Sequence, residues 1–179
     1  AAAQRGYEVI LISGPTCIDV PPKVDFLPVE TAEEMFEAVR NQLGRADVGI
    51  FAAAVSDYRP ATVSDEKIKK TGSSMTVELV RNPDILGSAR SEFGFQGTLV
   101  GFAAETGDLE RNARAKLECK GCDLIIANDI SQPDIGFDSE ENQVLLVFPS
   151  HSDPLPRETK EDLAFLLLDA IEDLRAVKG

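Results

Sequence analysis

Apolar positions along this chain fall into short continuous runs separated by stretches in which they recur every three or four residues. The short runs predict strands near Glu8 to Ile12, Asp25 to Val29, Val48 to Ala54, Met75 to Val80, Thr98 to Ala103, Leu124 to Ala127 and Gln143 to Phe148. The run Val48 to Val55 is small or apolar throughout, as a parallel strand covered on both faces requires. Between the strands lie helical patterns. One begins with Thr31 as N-cap and Glu34 three residues on, a capping box, and carries Met35, Phe36, Val39 and Leu43 on one face as far as Gly44. A second is expected from Asn82, with Pro83 as its first helical residue. A third spans Asp108 to Lys120, and the last follows Thr159 with Leu163, Leu166, Leu167 and Ile171 facing inward.

Strand and helix alternating in this way predict an α/β fold, a doubly wound and mostly parallel sheet in a Rossmann-like three-layer sandwich with right-handed crossovers. Met75 to Val80 is the exception: no helix separates it from the preceding loop, so it reads as a hairpin or an edge addition. Ala1 to Arg5 reads as a final helical turn closed by Gly6. A chain opening on a helix end is expected to lack a preceding strand and helix. The 179 residues otherwise form one domain, without repeats or low-complexity tracts.

Charge narrows the function. Thirty-one acidic against 18 basic residues give a net charge of −13, which argues against sequence-independent nucleic-acid binding. An anionic ligand therefore needs a local basic site working against the global field. No apolar run is long enough to span a bilayer and the first residues lack a signal-peptide layout, so a cytoplasmic protein is expected. Three cysteines suit a reducing compartment. Cys119 and Cys122 form a C-x-x-C, but no second pair accompanies them and the single histidine, His151, sits far away in a Ser/Pro/Asp segment. Both are read as incidental, and no metal ligand is assigned.

The candidate chemistry lies in Phe51 to Lys70. The carboxyl end of the Val48 strand points to the edge where open α/β sheets bind ligands, and beyond it come Ser56, Asp57 and Tyr58. Lys67, Lys69 and Lys70 follow on a loop from Pro60 to Ser74, mobile point charges suited to phosphates, although a lysine run is more often a solvated surface. Ala52 and Ala53 are small enough for a base to lie against the backbone. Pro83, Asp84, Ile85 and Leu86 form a helix's first turn, whose unpaired amides can meet anionic or carbonyl groups. Lys116 and Lys120 share one helix face, a spacing equally suited to an exposed surface that complements the helix dipole.

These segments occur in a familiar order. AAAVSDYRP, KIKK, NPDIL at 82–86, GFAAET at 101–106, DLIIANDIS at 123–131 and GFDSEENQV at 136–144 resemble, in sequence and spacing, the bacterial phosphopantothenoylcysteine synthetases over nearly the whole chain. The resemblance implies a ligase that joins 4′-phosphopantothenate to cysteine through an acyl-cytidylate made from CTP, with Mg2+ or Mn2+ as cofactor. It implies Lys67 as the catalytic lysine on a flexible flap over residues 60–74. It implies a nucleotide site of Phe51, Ala52, Ala53, Asp57, Lys67, Pro83, Asp84, Ile85, Leu86, Phe102, Lys116 and Lys120, in which the Ala52 segment reads the cytosine. A homodimer, and a flavin-dependent decarboxylase fused to or associated with the synthetase, are also implied. The family's glycine-rich first turn and its asparagine match no residue here, so binding and chemistry are expected to separate in this chain. A nicotinamide-dependent dehydrogenase remains an alternative permitted by the fold, although no G-x-G-x-x-G is present, and so does a noncatalytic nucleotide-binding subunit.

Overall fold

A computed structural model of the chain describes residues 1–64, 66–69, 72–105, 107–129 and 139–178. In chain order the elements are β1 (Ile10–Ser13), β2 (Asp25–Pro28), α1 (Ala32–Leu43), β3 (Val48–Phe51), β4 (Tyr58–Pro60), β5 (Leu79–Arg81), α2 (Ile85–Ser91), β6 (Thr98–Glu105), α3 (Leu109–Lys120) and β7 (Leu124–Asp129). The last third holds β8 (Glu141–Asn142), β9 (Val144–Val147), β10 (Ser152–Pro154), β11 (Glu158–Thr159) and α4 (Lys160–Lys178).

The central sheet has five strands in the order β10-β9-β7-β6-β3. Its β3, β6 and β7 run parallel, β9 is added antiparallel to β7, and β10 pairs antiparallel with β9 at the edge. Leu99, Val100, Leu124, Ile125 and Ile126 are almost wholly shielded from solvent, and each contributes about 1.5–3 kcal/mol of burial free energy. Alternation along these strands divides the core into two layers. Leu99, Ala103 and Ile125 join residues of α1, α2 and α3 on one face. Val100, Leu124 and Ile126 meet Leu163 and Ile171 of α4 on the other. The expected three-layer α/β sandwich is therefore present, with one difference in the sheet. β1 and β2 form a separate parallel pair, and a cleft lies between Ile10–Ser13 and the Val48–Phe51 edge of the main sheet.

Local signals account for most helix ends. Thr31 Oγ1 accepts from the Glu34 amide at 3.1 Å while the Glu34 carboxylate accepts from the Thr31 and Glu30 amides, the predicted capping box. Gly6 sits at φ 87° after a turn closed by the Arg5 amide on the Ala1 carbonyl. Thr159 Oγ1 caps α4 by accepting from the Asp162 amide. Gly101 has a packing reason: a methyl group there would stand 2.9 Å from side-chain carbons of Leu86 and Ile125, so its absence lets α2 close onto β6.

Three expectations need correction. The helix expected from Asn82 begins at Ile85, with Asp84 as N-cap accepting from the Gly87 amide at 2.9 Å. The strand expected through Ala54 stops pairing at Phe51, opposite Gly101 of β6. Of Met75 to Val80 only Leu79 and Val80 are in a strand, which extends to Arg81 and pairs antiparallel with β4. The hairpin alternative for that segment holds, and the described residues between Pro60 and Leu79 form an arm hung from a short two-stranded ribbon. Lys70 and parts of the 123–131, 136–144 and 101–106 motifs lie outside the described residues.

Candidate nucleotide site

The cleft between β1 and β3 holds about 720 Å³ and reaches the carboxyl ends of β3 and β6. Its deep part is apolar, with Ile10, Ile12, Val39, Leu43 and Val48 among its walls. Towards the strand ends the lining turns polar. There Phe51, Ala52, Ala53 and Asp57 arrive from the β3 side, Pro83, Asp84, Ile85 and Leu86 from the start of α2, Phe102 from β6, and Lys116 and Lys120 from α3. Residues far apart in sequence thus converge at the place where a doubly wound sheet presents a ligand site. Lys67 is the exception: it is exposed on the arm and does not line the cleft.

The two α3 lysines are held differently. Lys116 donates to the Phe102 carbonyl at 2.7 Å, which ties the helix to the end of β6. Lys120 pairs with the Asp84 carboxylate across the mouth of α2, its side chain 25% exposed and that of Asp84 55%. One aspartate therefore caps α2 and neutralises a cleft lysine. Partial burial opposes the Asp84 charge, but hydrogen bonds from Lys120 and the Gly87 amide hold its carboxyl below the ordinary value. The first-turn amides are not all open to a ligand as expected, since the Gly87 amide is already engaged.

Sequence reasoning missed Arg59, Glu33 and the true task of Asn82. Asn82 does not cap α2. Its side-chain amide donates to the Ser56 carbonyl at 2.8 Å and accepts from Arg59 at 3.0 Å, while its backbone amide donates to the Asp57 carbonyl at 2.8 Å. Arg59 also donates to the Arg81 carbonyl and pairs with Glu33 in the first turn of α1. Only the order S-D-Y-R-P next to a strand end hinted at this.

The chemistry outside the cleft is quiet. Cys17 and Cys119 are exposed free thiols, whereas Cys122 is buried and burial pushes its thiol up to about 11. His151 stacks on Phe148 at the surface and pairs with Asp153. Among the described residues no three histidine, cysteine or acidic side chains cluster as a metal site, and no helix is long and apolar enough to cross a membrane. Asp57 and Asp84 are the two acidic side chains among the described residues that line the cleft.

Residues 1–174 match the family described as the DNA/pantothenate metabolism flavoprotein C-terminal domain. The chain is 43% identical over 176 residues to the coenzyme A biosynthesis bifunctional protein CoaBC of Vibrio vulnificus, covering 97% of itself and 44% of that protein. Against the CoaBC of Escherichia coli K12 the identity is 45% over 174 residues, covering 96% of the chain and 43% of the relative. The chain thus spans less than half the length of these relatives. Among solved structures, the C-terminal domain of a CoaBC superposes with a TM-score of 0.80 at 35% identity, covering 98% of this chain and 78% of that one. The DNA/pantothenate metabolism flavoprotein from Streptococcus pneumoniae shares the fold with a TM-score of 0.78 at 24% identity, covering 96% and 83%.

Proposed function

Since the chain belongs to the DNA/pantothenate metabolism flavoprotein C-terminal domain family, we propose that it is the synthetase part of a coenzyme A biosynthesis enzyme, joining 4′-phosphopantothenate to cysteine with CTP. The observation that carries this reading is the convergence of every candidate nucleotide residue except Lys67 on one cleft. The base lies against Ala52 and Ala53, whose small side chains leave room, and the phosphates extend towards Lys116, Lys120 and the start of α2. The phosphopantothenate carboxylate attacks the α-phosphorus of CTP and pyrophosphate leaves. The cysteine amine then attacks the acyl carbon of the acyl-cytidylate and CMP leaves.

Such a reaction needs charge neutralisation more than a protein nucleophile. Lys120 faces phosphate oxygens once Asp84 yields it, and Lys116 holds the end of β6 in place. Lys67 enters from the arm to meet the negative charge that develops on the leaving pyrophosphate. Asp57 would hold Mg2+ or Mn2+ together with the triphosphate; when bound, the cation neutralises phosphate charge and polarises the attacked phosphorus. A homodimer that completes the substrate site near its interface, a fused or associated flavin-dependent decarboxylase and a cytoplasmic setting belong to the same proposal.

Separate calorimetric titrations of CTP, ATP and NADH with magnesium present test it. Saturable CTP binding that Lys120→Ala weakens is expected. Binding of NADH but not CTP would favour the dehydrogenase alternative and overturn the reading.

A further inference from the structure

We propose that Asn82 and Arg59 are positioning residues: a two-residue clamp that fixes Asp57 at the mouth of the cleft and sets the direction of the arm bearing Lys67. The inference rests on the nucleotide reading of the cleft and goes beyond it to the contacts that hold the cleft wall and the arm in place.

The geometry is unusually complete for one asparagine. Its backbone amide, side-chain amide and side-chain carbonyl engage Asp57, Ser56 and Arg59 respectively. After Phe51 the chain leaves the sheet, and residues 52–57 carry no ladder hydrogen bonds of their own. This strap is a shared wall. Ala53, Val55, Ser56 and Asn82 line both the nucleotide cleft and a second cavity of about 500 Å³ beside the start of α1. A backbone with a cavity on each side has little packing to hold it, so its position depends on the polar contacts that reach it. Asn82 supplies two of them.

Arg59 extends the clamp outwards. Its guanidinium reaches Asn82 and the Arg81 carbonyl on one side and Glu33 of α1 on the other, so it bridges both strands of the β4–β5 ribbon to a helix of the core layer. The ribbon has only three residue pairs. Two-stranded ribbons of that size are marginal alone, so their orientation is set by where they are anchored. Lys67 and the other described residues between Pro60 and Leu79 hang from that ribbon and inherit its orientation. A planar fork is what the site needs, because separate guanidinium nitrogens serve Asn82 and Glu33; a lysine ammonium offers no such geometry.

Hydrogen exchange followed by mass spectrometry, with CTP and magnesium added or withheld, tests the clamp on Arg59→Ala, Arg59→Lys and Asn82→Ala. Circular dichroism and exchange in β6 and β7 report whether each variant keeps its core. The expected result, compared at CTP concentrations that saturate each protein, is faster exchange in residues 58–60 and 79–81 of every variant and loss of most of the CTP-dependent protection of the arm. Added guanidinium should restore arm protection in Arg59→Ala and not in Asn82→Ala. Unsubstituted levels of arm protection in Arg59→Ala and Asn82→Ala overturn the clamp while leaving the nucleotide site standing. Failure of the unsubstituted chain to bind CTP overturns both. Loss of β6 and β7 protection along with the arm would show a structural role only and would also overturn it.

Discussion

Replacing Asp84 by asparagine should tighten triphosphate binding. In the free protein Lys120 is already neutralised by Asp84, so an incoming phosphate competes with a carboxylate for that ammonium. The contest is mild, because the two side chains are 25% and 55% exposed and solvent screens them; such pairs contribute about 0.5–1 kcal/mol. Removing the competing charge corresponds to about two- to fivefold tighter binding, at 1.4 kcal/mol per factor of ten. Asparagine ranks with aspartate as an N-cap, so the bond to the Gly87 amide survives and α2 stays capped. The assay is calorimetric titration of CTP and of pyrophosphate at low and high salt, with the difference between proteins shrinking as ionic strength rises. Acid sensitivity provides an internal check. The folded Asp84 carboxyl lies below its ordinary value of 3.8, so its contribution to stability is present above that value and is lost as pH falls through the lower folded one. Asp84→Asn should lose this part of the acid dependence. Weaker CTP binding in Asp84→Asn at low salt would mean that Asp84 presents Lys120 to the ligand rather than competing for it, and unchanged binding would mean that Lys120 does not face the phosphates. Either result refutes the argument.

Lys67→Gln should slow acyl-cytidylate formation in the active enzyme by an amount equivalent to about 2–4 kcal/mol, with CTP affinity nearly unchanged; normal single-turnover pyrophosphate release would remove Lys67 from the mechanism. Arg90 of α2 ties down two connections, donating to Asp123 at 2.8 Å and the Gly121 carbonyl at 3.2 Å between α3 and β7, and to the Phe95 carbonyl between α2 and β6. Since Asp123 is only 15% exposed and also accepts from the Leu99 amide, Arg90→Ala should destabilise the protein by about 2–4 kcal/mol, measured by urea unfolding. With its thiol pushed up to about 11 and its side chain buried, Cys122 should resist iodoacetamide at pH 8 in the folded protein while Cys17 and Cys119 are alkylated. Peptide mapping distinguishes the three, and equal labelling would contradict the burial.

What sequence alone revealed was local or periodic. The Thr31–Glu34 box is four residues long and was legible because both partners lie within it. Lys116 and Lys120 were placed on one face by helical spacing, and the cleft confirms that both face it. The family motifs supplied the remaining lining residues, which no periodicity would have brought together. Asn82 was misread because Asn-Pro satisfies a rule for helix starts, while its actual partner Ser56 is 26 residues away. Arg59 was overlooked for the same reason: Glu33, Arg81 and Asn82 reach it only once the chain has folded. The strand ending at Phe51 looked longer because small residues such as Ala52 and Ala53 suit a buried strand as well as the open floor of a cleft.

The separation of β1 and β2 from the main sheet has a consequence for how the protein opens. Their ladder bonds run only between the two of them, among the described residues, and α1 laps from β1 to α2. Such a pair is a candidate for a cooperative unit that unfolds below the global transition. Exchange of the amides of Asp25 and Val29, which donate to the Val9 and Ser13 carbonyls, should therefore depend weakly on denaturant, whereas those of Val100 and Ile126 should follow full unfolding. A ligand seated in the cleft touches Ile10 to Ser13 and Val48 to Phe51 at once, so its binding energy also appears as closure of that unit. Protection factors at Asp25 and Val29 would then rise with ligand concentration, although neither amide need contact the ligand.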